Sequence, residues 1–236
     1  MSEKPFVFLL PGMLCDAAVW QPQLAVLESR FELAVPVFRG FNNFVAMAHH
    51  VLDQAPVRFS VIAHSMGGRV AMELLRLVPE RIEHCILLDM GVHPVADGEA
   101  ERNQRLLSLA AEGGLAAVAD SWIPFMIHPA RVNDVALTTA IREMVMRNDV
   151  ADLHGQLQAA QERADQSQYL QDIRHKVYIA CGDSDNWNPP ELHRQMCARL
   201  MNAELEIIPD CGHMATMEKP AQVNALLLRW LTRSEG

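Results

Sequence analysis

The segment SVIAHSMGGRV, residues Ser60 to Val70, decides how the rest of the chain is read. An apolar run ends at Ala63, and beyond Ser65 the pattern becomes that of a helix from Gly68 to Val78, stopped by Pro79. Ala63, Ser65 and Gly67 give the form small-x-Ser-x-Gly. A turn sharp enough to join strand and helix there strains the backbone at the serine. It also brings the two elements so close that the positions two before and two after the serine must be small. Gly68 carries the same demand into the helix. The product is a serine hydroxyl presented at the C-terminal end of a strand.

Outward from this turn, short apolar runs alternate with amphipathic helices. Phe6 to Leu10, Leu33 to Phe38, Phe59 to Ala63, Cys85 to Asp89, Val177 to Cys181 and Glu204 to Ile208 read as strands. Trp20 to Arg30, Phe44 to Gln54 and Pro220 to Thr232 read as helices. Strands without polar alternation, separated by helices, predict an α/β fold with a six-stranded, mostly parallel sheet covered on both faces. The exception lies between Gly91 and Lys176, where only helical periodicity recurs, at Glu101 to Ala111, Leu115 to Trp122, Val132 to Met146 and Asp149 to Arg163. This predicts a helical insertion of about 80 residues. No repeat or low-complexity segment interrupts the pattern.

Composition narrows the classes further. The 236 residues, 50% apolar and 21% charged, are enough for one large core. A net charge of −9 without a long basic run argues against nucleic acid and anionic lipid as partners. No stretch reads as apolar over the roughly 18 residues a bilayer span needs, and the N-terminal segment does not read as a signal peptide, so a soluble, cytoplasmic protein with a small-molecule substrate is expected. Five cysteines without a C-x-x-C pair suggest neither a disulfide framework nor zinc. There is no dinucleotide or P-loop motif, and His49, His50 and Asp53 read as a solvated helix face, so no cofactor and no metal are expected.

On these residues the chain resembles the α/β-hydrolase superfamily, and the resemblance runs from Phe6 to Leu231. It implies a hydrolase core at 1–92 and 174–236, with a helical lid at 93–173 inserted between two strands. The chain begins directly at the Phe6 strand, so the family's first two antiparallel strands are expected to be missing. By the resemblance Ser65 is the nucleophile. IACGDSDNWNPP (Ile179 to Pro190) looks like the family's acid loop, with Asp185 as the acid and Asp183 and Asp89 as competitors that otherwise read as turn residues. PDCGHMATMEKP (Pro209 to Pro220) looks like the histidine loop, with His213 as general base and then acid. LLPGMLCDAAVW (Leu9 to Trp20) looks like the oxyanion loop, so the backbone N–H groups of Met13 and Met66 would form the oxyanion hole.

The implied chemistry is acyl transfer to serine followed by release to water. Trp122, Phe125 and Met126 in the insertion, and Trp187 beyond the acid, are candidate substrate contacts; the first three, like Met144 and Met146, equally read as lid-to-core packing. Arg163 and Asp165 read as a solvated ion pair that could alternatively hold a polar substrate end. His64 either lines the pocket or packs beside the strand. His84, His93, His128, His154, His175 and His193 read as surface or capping residues. A serine nucleophile excludes the haloalkane dehalogenase and epoxide hydrolase branches. The carbon–carbon hydrolases typically place Asn before the serine and Trp after the histidine, where this chain has His64 and Met214. SMGGR also resembles a lyase of menaquinone biosynthesis. Hydrolysis of a small ester or lactone is the expectation; a carbon–carbon hydrolase or lyase and a non-catalytic binding module are the alternatives.

Overall fold

The computed structural model describes residues 4–233, so the expected core segments extend at each end into residues 1–3 and 234–236, which lie outside the described residues. The apolar runs become β1 (Phe6–Leu10), β2 (Glu32–Ala34), β3 (Phe59–His64), β4 (Ile82–Leu88), β5 (Val177–Gly182) and β6 (Ala203–Ile208). They form one sheet in the order β2-β1-β3-β4-β5-β6, and every pair is parallel. The direction of winding reverses between β1 and β3, which opens a crevice beyond the C-terminal ends of these two strands.

Alternate residues of each strand feed two apolar clusters, one on each face. Val7, Leu9, Ile62, Ile86, Leu88, Tyr178 and Ala180 point to one face. There they meet α1 (Gln21–Leu27) and α8 (Pro220–Leu231) through Leu27, Val223, Leu227 and Trp230. Phe8, Leu10, Val61, Ala63, Leu87 and Ile179 point to the other. Their partners are α2 (Phe44–Leu52), α3 (Met66–Leu77) and α7 (Pro190–Arg199) through Met47, Val51, Val70, Leu74 and Met196. Each fully buried side chain of this size contributes about 1.5–3 kcal/mol of transfer free energy, so the sheet and its two helical layers stand or fall together.

Between β4 and β5 lie α4 (Glu99–Met126), α5 (Val135–Met146) and α6 (Val150–Gln161). The two helices expected before Trp122 are halves of α4, broken at Gly114, whose φ of 65° and ψ of −168° are not helical. One window of α4 is apolar and long enough to cross a bilayer by composition, which the sequence reading did not anticipate. In the fold, Leu115, Val118, Ala119, Trp122 and Ile123 of this helix are buried in the first cluster together with Ile141, Met144 and Leu153 of α5 and α6. The strand expected at Leu33 to Phe38 is shorter, because Pro36 has no N–H for the ladder and β2 is an edge strand. The helix expected from Val132 begins at Val135, where Asp134 caps it by accepting the Leu137 N–H.

Candidate active site

Four loops leave the C-terminal ends of β1, β3, β5 and β6 and converge over the crevice. Ser65, between β3 and α3, has φ 52° and ψ −118°, a conformation that side-chain-bearing residues adopt only under strain. The strain persists because its surroundings leave no room: a Cβ on Gly67 would stand 2.4 Å from the Leu10 carbonyl oxygen. The small residue two positions after the serine is thus set by its contact with β1.

His213, in the loop after β6, is buried and reaches both neighbours. Its Nδ1–H donates to Asp185 Oδ2 at 2.8 Å, and Ser65 Oγ lies 2.8 Å from its Nε2. Asp185 uses its other oxygen to accept the N–H groups of Trp187 and Asn188, at 2.8 and 2.9 Å. Burial alone would raise the Asp185 pKa, but His213 and these two N–H donors together hold it below the ordinary carboxylate value. The sequence-predicted trio is therefore in contact: acid to imidazole to hydroxyl.

The competing acids have other partners. Asp183 accepts the N–H groups of Asp210 and Cys211, which shapes the histidine loop. Asp89, at φ 51°, is fully buried and accepts the N–H groups of Gly182 and Ala215. Burial and then the neighbouring Asp185 push its pKa well above the ordinary carboxylate value. His64 is also buried; its Nε2–H donates to the His213 carbonyl at 2.8 Å, and burial, with His213 beside it, lowers its pKa to about 3. It supports the histidine backbone from below as a neutral ring.

Met66 is the first residue of α3, so its N–H has no acceptor within the helix. Neither this N–H nor that of Met13 has a protein acceptor among the described residues. The Met13 loop is held through its neighbour Leu14, whose N–H donates to Gln156 Oε1 of α6 at 2.8 Å.

A cavity of about 470 Å³ opens over Ser65. Met13, Met66, Phe44, Trp122, Leu157 and Trp187 form apolar wall. The Trp187 ring lies 4.7 Å from His213 and 5.4 Å from Trp122, measured between centroids. Phe125 and Met126 are not in this wall, which corrects two of the expected substrate contacts. Phe125 is 60% exposed, and only its carbonyl is used, by Asn186. Met126 lies one helical turn beyond Trp122, which carries it past the cavity; its side chain is core and its carbonyl accepts the His213 N–H at 2.6 Å.

Two further expectations change. Arg163 is not a solvated partner of Asp165: it forms a two-pronged pair with Glu99 in the cavity wall, while Asp165 caps a short helical turn by accepting the Ser167 N–H. His93 is a wall residue rather than a surface one, and His193 is buried. Sequence reading also missed Arg69, Gln156 and Glu218. Glu218 accepts the N–H groups of Gly212, Met214 and His128, pinning both sides of the His213 loop. Nothing local marks Arg69, which shares the helix Met66 to Leu77 with Glu73 and Arg76 and is buried through its tertiary contacts. The insertion accordingly contributes charge to the cavity as well as the apolar wall expected of it. Among the described residues, no three His, Cys, Asp or Glu side chains gather as a metal site would require.

A parallel sheet with these loops at its crevice defines an α/β hydrolase, and the sequence agrees: the model of the alpha/beta hydrolase family matches residues 7–226, and the chain belongs to that family. Among curated proteins it is similar to the "Putative carbamate hydrolase RutD" of Shigella flexneri, 26% identical over 98% of this chain and 92% of the relative. Among solved structures it is similar to a thermophilic esterase from Thermogutta terrifontis, with TM-score 0.89 and 24% identity over 98% of this chain and 90% of the other. An enol-lactonase from Burkholderia xenovorans LB400 also has TM-score 0.89, with 19% identity over 98% and 93%. These structural likenesses are likenesses of fold.

Proposed function

We propose that the protein is a serine hydrolase that cleaves a small carboxylic ester or lactone through an acyl-enzyme. The observation that carries this is the unbroken contact from Asp185 through His213 to Ser65, at 2.8 Å for each step, at the floor of the cavity. His213 takes the Ser65 proton as Oγ attacks the carbonyl carbon, and the negative charge on the carbonyl oxygen is met by the N–H groups of Met13 and Met66. His213 then gives the proton to the leaving alcohol oxygen, and the C–O bond breaks. Water, deprotonated by the same imidazole, attacks the acyl-serine; Ser65 is restored and the acid is released. Asp185 keeps the Nδ1–H tautomer and steadies the imidazolium. The helices of the insertion serve as the lid that selects the substrate.

The test is hydrolysis of p-nitrophenyl esters from acetate to dodecanoate by the wild type and by Ser65→Ala. The reading requires turnover by the wild type with a chain-length optimum, and about a 10⁶-fold loss in the variant. Full activity in Ser65→Ala would overturn it. Similarity to RutD favours a second reading, in which the carbonyl belongs to a carbamate; the same attack applies, and a p-nitrophenyl carbamate in the series tests it.

A further inference from the structure

The cavity wall carries more positive charge than its ion pairs use. Among the described residues, three guanidinium groups, Arg69, Arg102 and Arg163, line it together with one carboxylate, Glu99. Arg163 takes both oxygens of Glu99 and also donates to the carbonyls of His93, Pro94 and Ala160. That pair is complete and holds the start of α4 against the end of α6.

Arg69 is different. It is only 6% exposed, yet its two acceptors are neutral: the Gln166 Oε1 at 3.3 Å and the His93 carbonyl at 2.7 Å. Among the described residues no carboxylate lies within ion-pair distance of it. Burial, and repulsion from Arg163 after it, lower its pKa to about 9, so it remains charged at neutral pH. His93 beside it is lowered to about 4 by burial and then by these two arginines, and adds no charge. A buried cation without a counter-ion is costly, and the cost is relieved when an anion enters the same space. In a chain of net charge −9, this is a local excess of the opposite sign.

Position matters as much as charge. Arg69 follows Ser65 by four residues on α3, which places its Cα about 6 Å further along the helix axis. Arg102 is exposed and lines the same cavity, so it can close on a ligand from the solvent side.

From these contacts we infer that the substrate bears a carboxylate, held by Arg69 while its scissile carbonyl lies on Ser65, with Arg102 covering the outer side. The class is the half-ester of a short dicarboxylic acid, or a lactone with a pendant carboxylate. A planar fork suits a carboxylate. Among the described residues Arg163 is committed to Glu99, which leaves Arg69 as the buried guanidinium of the wall for the anion, a match for the single charge of a carboxylate. The inference rests on the serine-hydrolase reading and narrows its substrate.

The experiment compares mono-p-nitrophenyl succinate, glutarate and adipate with neutral p-nitrophenyl butyrate and valerate, after subtraction of self-hydrolysis. For the best half-ester, kcat/KM should exceed that of the neutral esters by about 10- to 100-fold, the range of one charge-assisted contact. Arg69→Met should bring the ratio close to one, chiefly by raising KM for the half-ester. Because Arg69 is buried, circular dichroism checks the fold of that variant, and Arg102→Ala, at an exposed position, should narrow the ratio severalfold. Calorimetry on the wild type, with hexanoate against hexanol and inorganic phosphate, reads the anion directly; hexanoate should bind and the other two should not. Neutral esters cleaved as well as half-esters would overturn the carboxylate while leaving the hydrolase intact, and phosphate binding as tightly as hexanoate would overturn it too. Turnover of neither ester would remove the hydrolase reading, and the calorimetry would then decide the carboxylate alone.

Discussion

Gln156 of α6 accepts the Leu14 N–H at 2.8 Å through Oε1, while its Nε2–H donates to the Phe38 carbonyl at 3.1 Å. Leu14, at φ 53°, also has its carbonyl held by Asn148 Nδ2 at 2.9 Å. Two residues later, Asp16 is clamped by Arg147 at 2.6 and 3.0 Å. The insertion thus fixes the loop that carries Met13, a residue of the cavity wall, and does more than cover it.

Gln156→Leu should therefore damage the oxyanion loop. An unpaired buried N–H costs about 1–3 kcal/mol, and a displaced Met13 N–H weakens charge stabilisation in the transition state more than ground-state binding. We expect kcat to fall about 10-fold with a smaller change in KM. Steady-state kinetics on a p-nitrophenyl ester provides the check; a pure KM effect would mean that Gln156 only shapes the pocket.

The two buried acids should separate cleanly. Asp185→Asn is expected to cost about 10⁴-fold in kcat, because the amide stabilises the wrong histidine tautomer. Asp89→Asn should cost far less, since Asp89 bonds backbone N–H groups rather than the Nδ1 of His213. Equal losses in the two variants would contradict the assignment of Asp185.

Stability should carry the mark of Asp89 in its pH dependence. Its folded pKa is raised, so between the ordinary carboxylate range near 4 and that raised value the folded state holds a proton that the unfolded chain has released. Stability contributed by this group is present at low pH and is lost as pH rises through the window. Asp185 has the opposite sign: its folded pKa is lowered, so its contribution is present above the unfolded value and lost as pH falls through the folded one. Asp89→Asn removes only the Asp89 contribution. Its amide also directs an N–H at one of two N–H donors, a cost independent of pH, so the trend and not the level is diagnostic. Thermal unfolding from pH 4 to 8 should show the gap between variant and wild type moving in the variant's favour as pH rises.

Gly67→Ala should fail at the turn itself. Its Cβ would meet the Leu10 and Pro11 carbonyl groups at 2.4 to 2.8 Å, and backbone does not yield as a side-chain tip does. Overpacking of this kind costs about 1–3 kcal/mol or more. Lowered Tm and lost turnover in the same variant would be the expected outcome, whereas wild-type Tm would show that the β1 contact is looser than drawn.

Local patterns carried most of the fold and the three contacting residues. The strand-Ser-helix turn, the Gly-x-x-Asp of the acid loop and the histidine loop are each contained in a dozen residues, and the apolar runs of β3, β4 and β5 are visible without knowing their neighbours. What escaped was long-range. Arg69 meets Gln166 across 97 positions and Gln156 meets Leu14 across 142, and neither pairing has a local signature. Trp122 and Met126 share a helix face, so periodicity alone could not tell cavity wall from core; the tertiary contact of the Met126 carbonyl with His213 decides it. The Leu33 to Phe38 run failed for the opposite reason, a local rule outranked by apolarity, since Pro36 lay in plain view.

The most direct test of the central claim is mass spectrometry of protein quenched in acid during turnover of p-nitrophenyl acetate. The account predicts one acetyl group per chain, mapped to the peptide containing Ser65 and absent from Ser65→Ala. Turnover at the wild-type rate by Ser65→Ala, or acetylation confined to another residue during turnover, would contradict it.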